Sequence, residues 1–226
     1  MDIKAPAVGA QAVPRTERMS RVRFVILAML FIVTTINYAD RATISIAGSA
    51  MQKELGIDAV SLGYIFSAFG WAYVIAQIPG GWLLDRFGSK RVYTFSILLW
   101  SVFTLAQGAI GFFTGAAAIA MVFCLRFLVG AAEAPSFPAN SRIVAAWFPA
   151  NERGTAAAIF NSAQYAATVV FAPLMAWLVH AFGWHHVFIV MGVIGIVMAV
   201  VWRTFCLLYT SPSPRDRTRS RMPSSA

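Results

Sequence analysis

The chain has 226 residues, of which 59% are hydrophobic and 12% charged, with a formal net charge of +9 and a mean hydropathy of +0.69. Soluble domains average about 45–50% apolar and about 25% charged residues, so the composition excludes an ordinary water-soluble domain and points to a bilayer protein. The positive charge is no sign of a nucleic-acid partner, because the basic residues sit in short stretches between apolar segments, as in loops facing the cytoplasm.

The polar, basic stretch 1–23 runs into a long apolar segment with no small-residue cleavage site, so a cytoplasmic arm is expected rather than a cleaved leader. The apolar segments lack the alternation of outer-membrane strands, so an all-α membrane protein is expected. Six spans follow, at about 24–50, 59–83, 92–111, 114–148, 154–182 and 184–202. Each approaches or exceeds the roughly 20 residues needed to cross a bilayer.

The first span contains INYADRATISIAG, with Asp40 beside Arg41. A helix ending at that pair would cover residues 24–39, about 24 Å at about 1.5 Å per residue, short for a bilayer core. The small and apolar residues after the pair favour a helix that continues to Ala50 and holds both charges inside. Charges inside a membrane cost about 2.5–3.5 kcal/mol each on insertion scales, so they face a cavity or a partner. The alternative is an ion pair at a helix end, with a structural role only.

The second span carries Tyr73 and Pro79 and ends in GGWLLDRFGSKR, expected to form the loop before the third. The fourth holds Arg126 and Glu133, seven residues or two turns apart and so near one face, followed by Pro135 and Pro138. Two spans that each carry an acid and an arginine make a mixed cluster. Its acids can take up protons while its arginines oppose protonation or bind an anion. That is the minimum chemistry of proton-coupled anion transport. On the fifth span Asn161 and Gln164 share a face; their amides either bond substrate hydroxyls or join helices. Tyr38 and Tyr73 either line a site or sit at the membrane interface. Pro173 completes the set of helix-interrupting prolines, and GFFTG (111–115) matches a small-xxx-small pattern that straddles a loop.

Loop charge sets the orientation. Lys4, Arg15, Arg18, Arg21 and Arg23, then Arg86, Lys90 and Arg91, then Arg142 and Arg153, then Arg203 fall on one side. The other side holds Lys53 and the histidines His180, His185 and His186, interfacial residues or a pH sensor. Both ends are therefore expected in the cytoplasm. Cys124 and Cys206 have no metal-ligand spacing, so neither metal nor cofactor is expected.

The segment 206–226, CLLYTSPSPRDRTRSRMPSSA, departs from the rest. It matches the translation of a transposon-based sequencing adapter and is expected to be a disordered artefact, with the natural chain continuing beyond about Phe205. Setting it aside leaves 14 basic and eight acidic residues, a net +6.

From Gly81 the motif reads Gly-x-x-x-Asp-Arg-x-Gly-x-Lys-Arg, comprising Gly81, Asp85, Arg86, Gly88, Lys90 and Arg91. It resembles the signature loop of the major facilitator superfamily. NYADRATISIAG, FSAFGWAYVIAQIPGGWLLDRFGSKRV, RFLVGAAEAPSFPANSRIVAAWFPANERGTA and IFNSAQYAATVVFAP resemble the anion:cation symporter branch, and within it the bacterial glucarate/galactarate (hexarate) transporters. The resemblance covers nearly all of residues 20–205. It implies the N-terminal half of a twelve-helix transporter in the bacterial inner membrane, with a midplane site, alternating access and an absent C-terminal six-helix half.

The resemblance also implies roles. Asp40 and Glu133 would titrate, Arg41 would contact the substrate carboxylate, and Arg126 would interact with Glu133. Tyr38, Tyr73 and Gln164, with Asn161 beside them, would contribute to the sugar-acid site. Asp85 and the basic residues of the motif would form a cytoplasmic charge network. Proton-coupled import of a hexaric acid is the leading expectation, with a hexonate as the alternative substrate. A six-helix membrane enzyme lacks support, since no Gly-x-Ser-Gly occurs, and a sensor lacks an appended signalling domain. No transport is expected from residues 1–226 alone.

Overall fold

A computed structural model describes residues 22–113 and 115–209, and every regular element among them is helical. The helices are α1 (Val22–Leu55), α2 (Ala59–Phe87), α3 (Ser89–Gln107), α4 (Gly115–Glu133), α5 (Ser136–Trp147), α6 (Arg153–Phe182) and α7 (Trp184–Tyr209). A 3-10 turn, Ile110–Phe112, follows α3. Together they make six helical segments long and apolar enough to cross a membrane, with α4 and α5 sharing the fourth. The chain is a multi-pass membrane protein by this measure.

Several boundaries differ from the sequence expectation for identifiable reasons. Of the prolines expected to interrupt helices, Pro79 and Pro173 lie inside the unbroken α2 and α6, whereas the fourth span does break at its prolines. Pro135 and Pro138 each lack an N–H and interrupt the ladder at residues 134–135, and α5 restarts at Ser136. The hydroxyl of Ser96 on α3 donates to the carbonyl of Ala132 at this break. The stretch GGWLLDRFGSKR is largely helix rather than loop: Asp85 and Arg86 close α2, Lys90 and Arg91 open α3, and Gly88 alone separates them. Gly88 has φ +79°, a left-handed value that costs glycine nothing. α1 outlasts its expected end by five residues, to Leu55. α7 continues through 206–209, where disorder was expected, because CLLY extends the apolar helix. The remaining adapter-like residues, 210–226, and most of the N-terminal arm, 1–21, lie outside the described residues.

α1 runs along α6, α2 along α4, and α3 along α7. Exchanging the first three spans with the last three maps the first pairing onto the second and leaves the third unchanged. An odd number of spans reverses chain direction, so the pattern is that of two inverted three-helix repeats. In the most apolar windows of α2 and α6 only 17% of residues are buried, against 44% for α1, α3 and α7. The core therefore lies between α1, α3 and α7, where Tyr93 meets Trp202 edge-on at 4.8 Å.

Close approach of α2 to α4 depends on Gly130. Its Cα lies against the Phe69 carbonyl, and a Cβ there would overlap that backbone. α2 is started by Asp58, whose carboxylate accepts from the amides of Val60 at 3.0 Å and Ser61 at 3.1 Å. The hydrogen bonds from Ser61 hold the Asp58 carboxyl below its ordinary pKa.

A candidate anion and proton site inside the bundle

α1 carries Asp40 and Arg41 inside the bundle, as its unbroken course through residue 50 predicts. Adjacent residues on a helix point about 100° apart, and the two side chains go to different neighbours. Asp40 is 2% exposed and accepts a hydrogen bond from the Thr104 hydroxyl on α3 at 2.9 Å. Arg41 turns toward α2 and α4. Its Nε donates to Oε2 of Glu133 at 2.8 Å, with the Arg41 side chain 26% exposed and that of Glu133 fully buried.

Three aromatic rings surround the Arg41 guanidinium, with centroids at 4.6 Å for Tyr73, 5.1 Å for Phe69 and 5.2 Å for Tyr38. Phe69 and Tyr73 stack on each other at 5.8 Å, being one turn apart on α2. The negative ring faces favour the cation and confine it. The open side of Arg41 remains available to an anion.

Arg126 on α4 is 1% exposed. Its guanidinium lies 5.6 Å from the Phe188 ring centroid, and its Nε and Nη2 make no hydrogen bond among the described residues. The carboxylates whose charges act on it are Asp40 first and then Glu133. The four charges thus form one electrostatic group, two acids and two arginines, within which the hydrogen-bonded ion pair is Arg41–Glu133. Four charges in low dielectric are tolerable only when balanced in this way. Oε1 of Glu133 makes no hydrogen bond among the described residues.

The structure brings Tyr38, Tyr73, Arg41 and Glu133 together and sets Asp40 and Arg126 behind them. It leaves Asn161 and Gln164 apart from this hydrogen-bonded group: both are half-buried on α6, and among the described residues neither side chain bonds to Asp40, Arg41, Arg126 or Glu133. Sequence reasoning missed Thr104, Phe69 and Asn37. Asn37 lies three residues before Asp40 and four before Arg41, a spacing that puts all three on neighbouring positions of one helix. Thr104 was one polar residue among several in the third span, and only the packing of α3 against α1 selects it.

At the end of the bundle where α1 begins, Arg142 on α5 pairs with Asp85 on α2. Arg23 pairs with Glu152 at 2.9 Å, and Arg86 rests over the rings of Trp82 and Phe87. At the other end Trp184 Nε1 donates to Glu54 at 2.8 Å, with His185 Nε2 at 3.7 Å from the same carboxylate. No cluster of potential metal ligands occurs among the described residues.

Comparison with known proteins places this arrangement in context. The family model described as Major Facilitator Superfamily matches residues 30–225. A Bacillus subtilis (strain 168) protein named "Probable galactarate/D-glucarate transporter" is 64% identical over 193 residues, which is 85% of this chain and 42% of that protein. A D-galactonate transporter of Escherichia coli O6:H1 is 44% identical over 182 residues, 80% of this chain and 41% of the other. The chain therefore spans less than half the length of these relatives, which are named as transporters and not as enzymes. Among solved structures, a bacterial homolog of the human lysosomal transporter Spinster, inward-facing and occupied, superposes with TM-score 0.72. It shares 21% identity over 86% of this chain and 46% of that one.

Proposed function

The chain belongs to the Major Facilitator Superfamily, and on that premise we propose that it is the first half of a proton-coupled importer of a hexaric sugar acid, D-glucarate or galactarate, working by alternating access. The observation that carries this reading is the bond between a buried acid and a half-buried arginine, Glu133 to Arg41. A substrate carboxylate that approaches Arg41 competes with Glu133 for the guanidinium. Displaced from its cation in a low-dielectric site, the Glu133 carboxylate gains from taking up a proton. Anion binding and proton uptake then support each other, and release of one favours release of the other.

The substrate class follows the relatives named for galactarate and D-glucarate at high identity. The galactonate transporter, at lower identity, supports a hexonate as the second reading. A hexarate differs from a hexonate by a second terminal carboxylate. On this proposal the protein lies in the bacterial inner membrane with both ends in the cytoplasm. Asp85, Arg86, Gly88, Lys90, Arg91 and Arg142 form its inner charge network, and a C-terminal six-helix half closes the cavity.

The test is uptake of labelled D-glucarate into proteoliposomes that contain the full-length protein carrying this half. An inward proton gradient is expected to drive accumulation, and Asp40→Asn or Glu133→Gln to abolish it. Accumulation that persists after the gradient is collapsed refutes the coupling. Competition by unlabelled galactonate stronger than by galactarate refutes the hexarate assignment.

A further inference from the structure

A second group of polar side chains lies beside Arg41, one turn nearer the start of α1. Thr34, Asn37, Ser136 and Asn140 line a narrow cleft together with Arg41 and Tyr93, with space for about one water molecule. Asn37 is 5% exposed and its Nδ2 has no hydrogen-bond partner among the described residues; Asn140 is 3% exposed and the same holds for its Oδ1. The other amide atom of Asn140, Nδ2, donates to the Thr34 hydroxyl at 3.1 Å. Ser136 is in hydroxyl contact with Ser96 at 3.1 Å.

Two nearly buried amides with unused capacity on one small cleft are costly unless something bridges them. Asn37 presents a donor and Asn140 an acceptor. Water is both, and it fits either orientation of the amides, since exchanging N and O in either one leaves a group that water can pair with. A sugar acid is far too large for the space. Glu133 does not itself line the cleft, but two lining residues join it to the acid site: Arg41, which holds Glu133, and Asn37, whose side-chain amide acts on the Glu133 carboxyl as a hydrogen-bonding group.

Direction follows from chain order. On α1, Thr34 and Asn37 precede Asp40, and on α5, Ser136 and Asn140 follow Glu133. The start of α1 and the end of α5 meet at the same end of the bundle, where Phe24 contacts Phe148 edge-on at 6.5 Å. We infer that this cleft holds a bridging water and forms the route by which a proton leaves Glu133 toward the end of the bundle where α1 begins. The inference rests on the proposed role of Glu133. In the step itself the Glu133 O–H breaks, its proton passes to the bridging water, and a proton of that water passes on through the Ser136 or Thr34 hydroxyl to solvent. Glu133 is left as a carboxylate that pairs again with Arg41. No electron transfer or further reactant is involved.

The experiment compares net proton-driven D-glucarate uptake with D-glucarate counterflow, which exchanges substrate without releasing the proton. Both are measured in proteoliposomes with the full-length protein, for Asn37→Leu, Asn140→Leu, the corresponding Ser variants and Glu133→Gln. Leu fills the cleft and removes the amide, whereas Ser keeps a small polar group. The Leu variants are expected to lose net uptake at least tenfold and to keep counterflow within about twofold, with the Ser variants recovering most of the uptake. Equal loss of both activities overturns the route, and so does unchanged net uptake. If neither Leu variant accumulates in the membrane while both Ser variants do, the amides are structural and the route is likewise overturned. Glu133→Gln isolates the underlying reading: if it keeps proton-driven uptake, the role of Glu133 fails, whatever the cleft variants show.

Discussion

Removing Arg41 should destabilise the protein mainly by orphaning Glu133, and a double-mutant cycle measures that contribution directly. The Glu133 side chain is fully buried and its hydrogen-bonded ion pair is with Arg41. Truncating one member of a buried pair costs about 3–5 kcal/mol, because the remaining charge is left without compensation. Arg41 is 26% exposed on its side-chain atoms, so screening argues for the lower figure, about 3 kcal/mol. Loss of the cation from among Tyr38, Phe69 and Tyr73 adds about 1 kcal/mol. Arg41→Ala is therefore expected to cost about 4 kcal/mol. In the Arg41→Ala/Glu133→Gln double variant the buried charge is gone and only the aromatic contribution and unsatisfied amide remain, about 2–4 kcal/mol. Equilibrium unfolding of the full-length protein in mixed micelles at fixed detergent and pH gives each value. Glu133→Gln alone completes the cycle; a loss in the double variant equal to the sum of the two single losses, within about 0.5 kcal/mol, refutes the argument, because additivity of that kind marks residues that do not interact.

Thr104→Val removes the donor to Asp40 while keeping the shape of the side chain. It should displace the pH profile of uptake, with Thr104→Ser restoring it; an unchanged profile with lower stability would mark Thr104 as structural only. Gly130→Val places side-chain atoms against the Phe69 carbonyl and should destabilise by about 1–3 kcal/mol or more, as overpacking does, measured by the same unfolding assay. Asp58→Ala removes the cap of α2, so the amides of Val60 and Ser61 should exchange hydrogen faster. The Asp58 carboxyl titrates below its ordinary value in the folded protein. Its capping contribution is therefore present above the unfolded pKa of about 3.9 and lost as pH falls through the folded value; an exchange difference that persists well below that range would contradict the sign. Asp85→Ala breaks an ion pair whose members are 75% and 46% exposed, so stability should change by no more than about 1 kcal/mol. A larger loss would show that the pair is part of a tighter network.

The spans were legible because apolar length is a strong constraint: a segment of about 20 apolar residues has few ways to exist other than as a crossing helix. The break in the fourth span was legible in Pro135 and Pro138, although hydropathy is continuous across them; the same expectation fails at Pro79 and Pro173, which lie inside the unbroken α2 and α6. The motif around Asp85 was legible as chemistry but misread as local structure. Its charges look like a loop, yet helices tolerate charge at their ends, and only Gly88 has the backbone that ends one. Within the site, Asp40, Arg41, Arg126 and Glu133 could be found from sequence because charge in an apolar segment is rare. Thr104, Asn37 and Asn140 could not be singled out, because uncharged polar residues in membrane helices are common and their importance depends on which helix faces them.

That distinction bears on how the two acids divide the work under the proposed mechanism. Asp40 and Glu133 sit in one charged group, but their surroundings differ in a way that matters for an incoming anion. The hydrogen bond to Asp40 comes from Thr104, and the charge acting on it most is that of Arg126, which is 1% exposed. An anion in the cavity cannot compete for a guanidinium enclosed to that degree. Glu133 is bonded instead to Arg41, whose open side is bounded by Tyr38 and Tyr73. Substrate arrival thus changes the partner of Glu133 and leaves that of Asp40 in place. On this reasoning Glu133 is the acid whose proton occupancy follows the substrate, and Asp40 responds to movement of α3 and α4 relative to α1. The two substitutions should then differ in kind. Glu133→Gln should raise substrate affinity measured without a proton gradient, since Arg41 no longer has an anionic competitor. Asp40→Asn should leave that affinity within about twofold, because it leaves the Arg41–Glu133 hydrogen bond and the rings around Arg41 in place. Equal shifts in affinity for both variants, read by equilibrium binding of labelled D-glucarate, would show that the four charges act as one undivided group.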